Sequence, residues 1–188
     1  MKKPLNKAVF LDRDGTLIYE RPGVYISRTS QLRLYKSTPE ALRILSKLGF
    51  KLFIVSNQSG IGRGYFGKET VEELNAYLRG LLKKSGVLLD GIYYCPHAPE
   101  KHCRCRKPET LLGEQIIKEH GVDPAASFMI GDKRADVEFG RRLGMKTILV
   151  RTGNGRHHLR KYADQLHPDR VAANILNGAK WIKNEIQN

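Results

Sequence analysis

The sequence predicts an α/β fold: a mostly parallel central sheet with helices on both faces, a Rossmann-like three-layer sandwich. Three observations predict it. Short apolar runs of strand length alternate with longer segments of helical periodicity. The strand runs are almost continuously apolar, as strands covered on both faces are. Their carboxyl ends carry the polar residues: Asp12 after the first, Ser56 and Asn57 at the second, Asp132 after the fourth.

The elements follow in order. KAVFLD is the first strand. TPEALRILSKLG is a helix that Thr38 can cap, with Pro39 in the first turn, where its missing N–H costs nothing, and Gly49 as the stop. FKLFIVSN is the second strand. KETVEELNAYLRGLLKKSG sets Val71, Leu74, Leu78, Leu81 and Leu82 on one helical stripe and stops at Gly86. DGIYYC is the third strand, ETLLGEQIIKEHG a helix closed by Gly121, and SFMIGD the fourth strand. RADVEFGRRLG is a helix closed by Gly144, and KTILVRTG the fifth strand. A last helix over about 172–186 is expected to bury Ile175, Leu176, Ala179, Ile182 and Ile186. The segment 152–171 has the least pattern and reads as a loop. With no internal repeat or low-complexity stretch, residues 1–188 are expected to form a single domain.

Composition narrows the class. Hydrophobic residues make up 40% of the 188, enough for a proper core and inconsistent with disorder. No apolar run approaches the ~20 residues that span a bilayer, and AVFL breaks at Asp12, short of a signal-peptide core. A cytoplasmic protein with no membrane partner is expected. The formal charge of +14 is spread along the chain. Such a field favours anionic partners, or reflects a general basic bias; charge alone names no ligand.

The strand ends carry the chemistry. In DRDGT, Asp12 and Asp14 lie two residues apart, so on leaving an extended strand they point the same way. Two like charges that close need a cation or a shared proton; alternatively DGT is a turn in which Gly15 supplies positive φ. Asp132 as a third acid at the same rim fits Mg²⁺, held by carboxylates, water and a substrate phosphate. Ser56 and the backbone of NQSG offer donors, and Lys107 a point charge, for phosphoryl oxygens.

Cys95, His97, Cys103 and Cys105 form C-x-H-x₅-C-x-C, four ligands on one loop spanning 95–105. Such a closed set is the form of a structural Zn²⁺ site. His102 is a rival ligand that the adjacent Cys103 disfavours. Arg106 and Lys107 follow the last ligand, so a metal-fixed loop would preorganise both cations.

LDRDGT, Ser56 in SNQSG, Lys107 in CRKPE, and GDKRAD resemble, in order and spacing, the four motifs of the haloacid dehalogenase-like phosphatase superfamily. Over residues 8 to about 155 the chain resembles, more narrowly, the D,D-heptose 1,7-bisphosphate phosphatase and histidinol-phosphatase group. The resemblance implies a haloacid dehalogenase fold without a large cap. It implies that Asp12 attacks phosphorus and Asp14 acts as general acid and base. Mg²⁺ would be held by Asp12, the carbonyl of Asp14, and Asp132, while Ser56 and Lys107 stabilise the transferred oxygens. Asp14 must be protonated at the start, and burial near other acids is expected to raise its pKa. Lys133 is expected to reach Asp12 or the phosphate, with Asp136 orienting it. Substrate contacts are expected from Arg13, Asn57, Gln58, Ser59, Arg106 and Lys133, and from Glu20, Arg21, Pro22 and Gly23 in the first substrate loop.

The implied reaction removes the C7 phosphate of D-glycero-D-manno-heptose 1,7-bisphosphate, with histidinol phosphate as the alternative substrate. A basic zinc module acting on nucleic acid is the competing class; RHHLRKY (156–162) supports it only by charge and lacks interleaved aromatic platforms. A monomer acting on a phosphorylated sugar, without nucleic acid, is expected.

Overall fold

Five parallel pairings build the sheet, and its register follows from the apolar runs. The computed structural model describes residues 5–20 and 23–187. Strand β1 (Ala8–Leu11) lies at the centre, between β2 (Lys51–Asn57) and β4 (Phe128–Gly131), with Val9 opposite Leu52 on one side and Phe128 on the other. Strand β3 (Gly91–Cys95) extends the sheet beyond β2; β5 (Lys146–Val150) and β6 (Arg170–Ala172) extend it beyond β4, giving the order β3-β2-β1-β4-β5-β6.

Because side chains alternate across a strand, β1 feeds two cores. Val9 and Leu11 join the larger one, packed under helices α1 (Thr38–Lys47), α3 (Lys68–Lys84) and α7 (Ile175–Glu185). Between α1 and α3 runs the one-turn helix α2 (Ser59–Gly62). Ala8 and Phe10 join the other core, with Leu112 and Ile116 of α4 (Leu111–His120) and Phe139 of α5 (Arg134–Arg142). This is the predicted three-layer sandwich with a parallel sheet.

The helix stops sit where expected: Gly49, Gly86, Gly121 and Gly144 all have positive φ. Four details differ. Thr38 is the first helical residue after an Ser37 cap position, and its hydroxyl donates to the Leu17 carbonyl at 2.8 Å, tying α1 to the chain after β1. The segment 152–171 is not a plain loop: it holds helix α6 (Gly155–Lys161) and enters β6. Helix α7 begins at Ile175 rather than near 172, because Arg170–Ala172 pairs with Ile148–Val150 as the edge strand. Ile186 falls beyond α7 and is 40% exposed, while Ile175, Ala179 and Ile182 are buried and Leu176 partly so. Among the described residues, no helix is long and apolar enough to cross a membrane.

Candidate active site

The carboxyl ends of β1, β2 and β4 open into one cleft of about 350 Å³, lined among others by Asp12, Asp14, Ser56, Lys107, Arg106 and Asp136. Asp12 continues the ladder, its amide donating to the Ile130 carbonyl at 2.9 Å, so its side chain is fixed at the sheet edge. Lys107 is 3% exposed and enters from the loop after β3. Its Nζ donates to Asp12 Oδ1 at 2.7 Å and to the Val55 carbonyl at 2.5 Å, and lies 2.6 Å from Asp136 Oδ1. Burial opposes that charge, but the two carboxylates outweigh it and hold the lysine pKa above its usual value.

The loop bearing Lys107 is stapled to β2. Asn57 Nδ2 donates to the Lys107 carbonyl and Lys107 N donates to Asn57 Oδ1, both at 3.0 Å. Asn57, expected among the substrate contacts, therefore has both ends of its amide engaged by the loop backbone.

Asp14 lies in a second network. Its Oδ2 accepts from Gln58 Nε2 at 2.8 Å, Arg13 Nε at 3.0 Å and Ser56 Oγ at 3.4 Å; among the described residues its Oδ1 accepts only from Arg13 Nη2, at 3.2 Å. Gln58 Nε2 also donates to Ser56 Oγ at 2.7 Å. Arg13 is 1% exposed, and its guanidinium also reaches Gln58 Oε1 and Asn75 Oδ1, each at 2.9 Å. Arg13 and Gln58, expected to touch substrate, have their polar atoms turned to Asp14 and its neighbours. Burial alone would raise the Asp14 pKa, as the sequence suggested, but Arg13, Lys133 and Gln58 outweigh it and hold the carboxyl below its ordinary value.

Three carboxylates, Asp12, Asp132 and Asp136, bring ligand oxygens within 4.8 Å of one another. Burial is the main cause that pushes Asp12 up to about 6, with Lys107 opposing; Asp132 is raised well above its ordinary value, again chiefly by burial, with Lys133 opposing and Asp12 and Asp136 adding. Asp12 Oδ2 and Asp132 Oδ1 are buried with no hydrogen-bond partner among the described residues. Two orphaned, buried carboxylate oxygens beside one another fit a hard divalent cation such as Mg²⁺.

Asp132 is further fixed by the chain after β5: its Oδ2 accepts from Asn154 N at 2.7 Å, and a Cβ on either Gly15 or Gly153 would stand 2.3 Å from that oxygen. Gly15, at φ +87, supplies the predicted turn and leaves room for Asp132 in the same place. Asp136 has two tasks. Its Oδ2 accepts from the Lys133 amide at 2.9 Å at the start of α5, and its Oδ1 pairs with the Lys107 ammonium.

Lys133, expected at Asp12 or the phosphate, instead bonds Glu20 through both carboxylate oxygens, at 3.1 and 3.0 Å, and Asn154 Nδ2 donates to the same carboxylate at 2.8 Å. Glu20 lines the cleft, as does Gly23, which has positive φ; Arg21 and Pro22 lie outside the described residues. The hydroxyls of Ser59 and Tyr25 are 3.2 Å apart. Tyr25, Val24, Ile26 and His158 line the cleft without having been anticipated. The strand-end rule could have found the Gly153–Asn154 turn; nothing in the sequence pattern aims Tyr25 or His158 at the cleft.

Cys95, His97, Cys103 and Cys105 meet at one point. The three Sγ–Sγ distances are 3.2, 3.5 and 3.5 Å, and His97 Nδ1 lies 3.3 Å from Cys105 Sγ and 3.7 Å from Cys95 Sγ. Ligands about 2.0–2.3 Å from a tetrahedral ion stand about 3.3–3.8 Å apart, so the set fits Zn²⁺. Burial opposes ionisation of Cys103, but hydrogen bonds from Cys95 and Cys105 bring its pKa down to about 7. His102, in the left-handed region at φ 45, is not one of the four. Arg106 and Lys107 leave this cluster directly into the cleft, and Arg106 Nη1 contacts the His97 carbonyl at 3.4 Å.

A parallel sheet with acids gathered at its strand ends is the architecture of a haloacid dehalogenase-like phosphatase. Residues 104–177 match a family model described as HAD-hydrolase-like. The D,D-heptose 1,7-bisphosphate phosphatase of B. bronchiseptica, solved with magnesium and phosphate, superposes with a TM-score of 0.87 at 28% identity, covering 95% of this chain and 99% of that one. A D-glycero-beta-D-manno-heptose-1,7-bisphosphate 7-phosphatase of Helicobacter pylori is 45% identical over 150 residues, 79% of this chain and 85% of that protein. A D-glycero-D-manno-heptose-1,7-bisphosphate 7-phosphatase of Chlorobaculum tepidum is 41% identical over 181 residues, 90% of both chains. The chain belongs to the heptose-1,7-bisphosphate 7-phosphatase family.

Proposed function

We propose that this protein removes the C7 phosphate of D-glycero-D-manno-heptose 1,7-bisphosphate, giving heptose 1-phosphate. The observation that carries the reading is the meeting of Asp12, Asp14, Ser56 and Lys107 in one cleft, with Asp132 clustered against Asp12, in a chain similar to heptose-1,7-bisphosphate 7-phosphatases.

Asp12 attacks phosphorus in line and becomes an aspartyl-phosphate. Its Oδ1 is anchored by Lys107, and Oδ2, without a hydrogen-bond partner among the described residues, is the oxygen left for the cation. Lys107 and Ser56 face the transferred oxygens, so the work is positioning and electrostatics. Asp14, held ionised in the free protein by Arg13, takes up a proton as the anionic phosphate binds beside it and gives it to the departing sugar oxygen; it then takes one from the water that hydrolyses the intermediate and frees Asp12. Asp12, the carbonyl of Asp14, and Asp132 would hold Mg²⁺, which would offset the repulsion between carboxylate and phosphate. Cys95, His97, Cys103 and Cys105 would hold Zn²⁺, which would stiffen the loop that carries Arg106 toward the distal phosphate and Lys107 toward Asp12.

A phosphate-release screen tests this with both anomers of the heptose bisphosphate, fructose 1,6-bisphosphate and histidinol phosphate. Turnover with a heptose bisphosphate is expected to lead the others by at least about tenfold in kcat/KM. Equal rates with all four would remove the substrate assignment and leave a phosphatase; faster histidinol phosphate would transfer the assignment to that substrate.

A further inference from the structure

Among the described residues, four buried polar side chains lie outside the motifs, Thr38, Asn75, Ser127 and Thr147, and of these Asn75 alone bonds a motif side chain. Helix α3 packs Leu74, Leu78 and Leu82 into the larger core and also buries Val71, and Asn75, 8% exposed, interrupts that apolar face. A buried polar group is stabilising only when it is hydrogen-bonded. Asn75 Oδ1 accepts from Arg13 Nη1 at 2.9 Å, and the rest of the Arg13 fork is on Asp14 and Gln58.

The fork has one geometry. A planar guanidinium that makes contacts along two edges fixes the plane of the carboxylate it holds. Asn75 anchors one nitrogen from outside the motifs; Nε and Nη2 then reach the two Asp14 oxygens at 3.0 and 3.2 Å. Among the described residues, Asp14 Oδ2 is crowded by three donors, whereas Oδ1 has a single one.

We infer that Asn75 is a positioning residue: through Arg13 it sets the plane of the Asp14 carboxylate so that Oδ1 is the oxygen that exchanges the proton. The inference rests on the role proposed for Asp14. The proton leaves Oδ1 for the ester oxygen as the P–O bond breaks; it returns from water as the water oxygen bonds to phosphorus and the Asp12–phosphoryl bond breaks. Neither step changes any oxidation state. Loss of the Asn75 anchor therefore harms the two proton transfers and spares substrate binding and attack by Asp12.

The test compares Asn75→Leu, which removes the acceptor at similar volume, with Asn75→Asp, which keeps an acceptor oxygen. The probes are heptose 1,7-bisphosphate, whose alkoxide leaving group needs a proton, and p-nitrophenyl phosphate, whose phenolate does not. For Asn75→Leu, kcat on the sugar is expected to fall about tenfold to a hundredfold with KM changed less than about threefold. With p-nitrophenyl phosphate, the same variant is expected to show a burst of one nitrophenolate per active site, because attack proceeds and dephosphorylation lags. Asn75→Asp is expected to retain most of the turnover and to show no larger burst than the unaltered enzyme.

Wild-type kcat in Asn75→Leu, an equal loss of burst rate and sugar turnover, or an equal defect in Asn75→Asp would each overturn the inference. If Asn75→Leu does not fold, Arg13→Lys serves: it keeps the charge but cannot hold Asp14 and Asn75 together, and must show the same split between sugar turnover and burst. Absence of sugar turnover in the unaltered protein would defeat the substrate assignment alone, because the aryl phosphate burst still tests Asn75.

Discussion

Lys107 shows how a single side chain couples stability to catalysis. Its ammonium is buried between Asp12 and Asp136 and capped by the Val55 carbonyl. Removing one member of such a buried set leaves uncompensated charge. Lys107→Met is therefore expected to lower stability by about 3–5 kcal/mol in a urea titration without Mg²⁺, and turnover by at least about a hundredfold. A stability loss under about 1 kcal/mol would contradict the pairing. Much at this scale was legible beforehand. Strand-end acids and the cysteine spacing gave Asp12, Asp132 and the four-ligand loop because those signals are local. The partners of Lys133, Arg13 and Asn57 were not legible. Each donates or accepts across elements distant in sequence, and a strand-end position does not say which way a long side chain turns.

At the scale of elements, α2 and the cysteine loop form one unit. Gln58 N donates to the Cys95 carbonyl and Gly62 N to the Pro96 carbonyl, both at 2.8 Å. A Cβ at Gly62 would lie 2.4 Å from the Ala98 amide nitrogen, a backbone atom that cannot swing aside. Gly62→Ala is expected to displace the loop, weakening zinc affinity at least about tenfold and lowering kcat, since overpacking costs about 1–3 kcal/mol. Chelator competition and steady-state kinetics measure the two effects; unchanged affinity with unchanged kcat would contradict the coupling. Helix α6 and strand β6 were missed for physical reasons. GRHHLRK offers one apolar residue, Leu159, and its burial partners Val137, Leu149 and Leu166 come from elsewhere. Strand β6 has three residues, and Asp169 fixes the turn into it by accepting from Thr147 N at 2.7 Å and its hydroxyl at 2.9 Å.

Across the whole molecule, the helices on one face of the sheet are separated from the cleft at its strand ends. Ile182 of α7 is fully buried in the larger core beneath α1 and lines no part of the cleft. Ile182→Ala is expected to cost about 2–5 kcal/mol of stability while KM at 25 °C stays within about twofold, since distant sites act independently. A large KM change with little loss of stability would show that the layers are not separable in this way. The fold was the most legible feature of all, because alternation of strand and helix is written in period and length. The +14 charge gained no assigned partner from the fold. The central claim concerns one atom, the phosphorus that Asp12 is proposed to attack. The most direct measurement is acid quench during turnover of heptose 1,7-bisphosphate, followed by mass-spectrometric localisation of the phosphoryl group on the chain. The expected result is a phosphorylated peptide containing Asp12 that disappears in Asp12→Asn; a phosphoryl group on another residue, or undiminished turnover in Asp12→Asn, would contradict it.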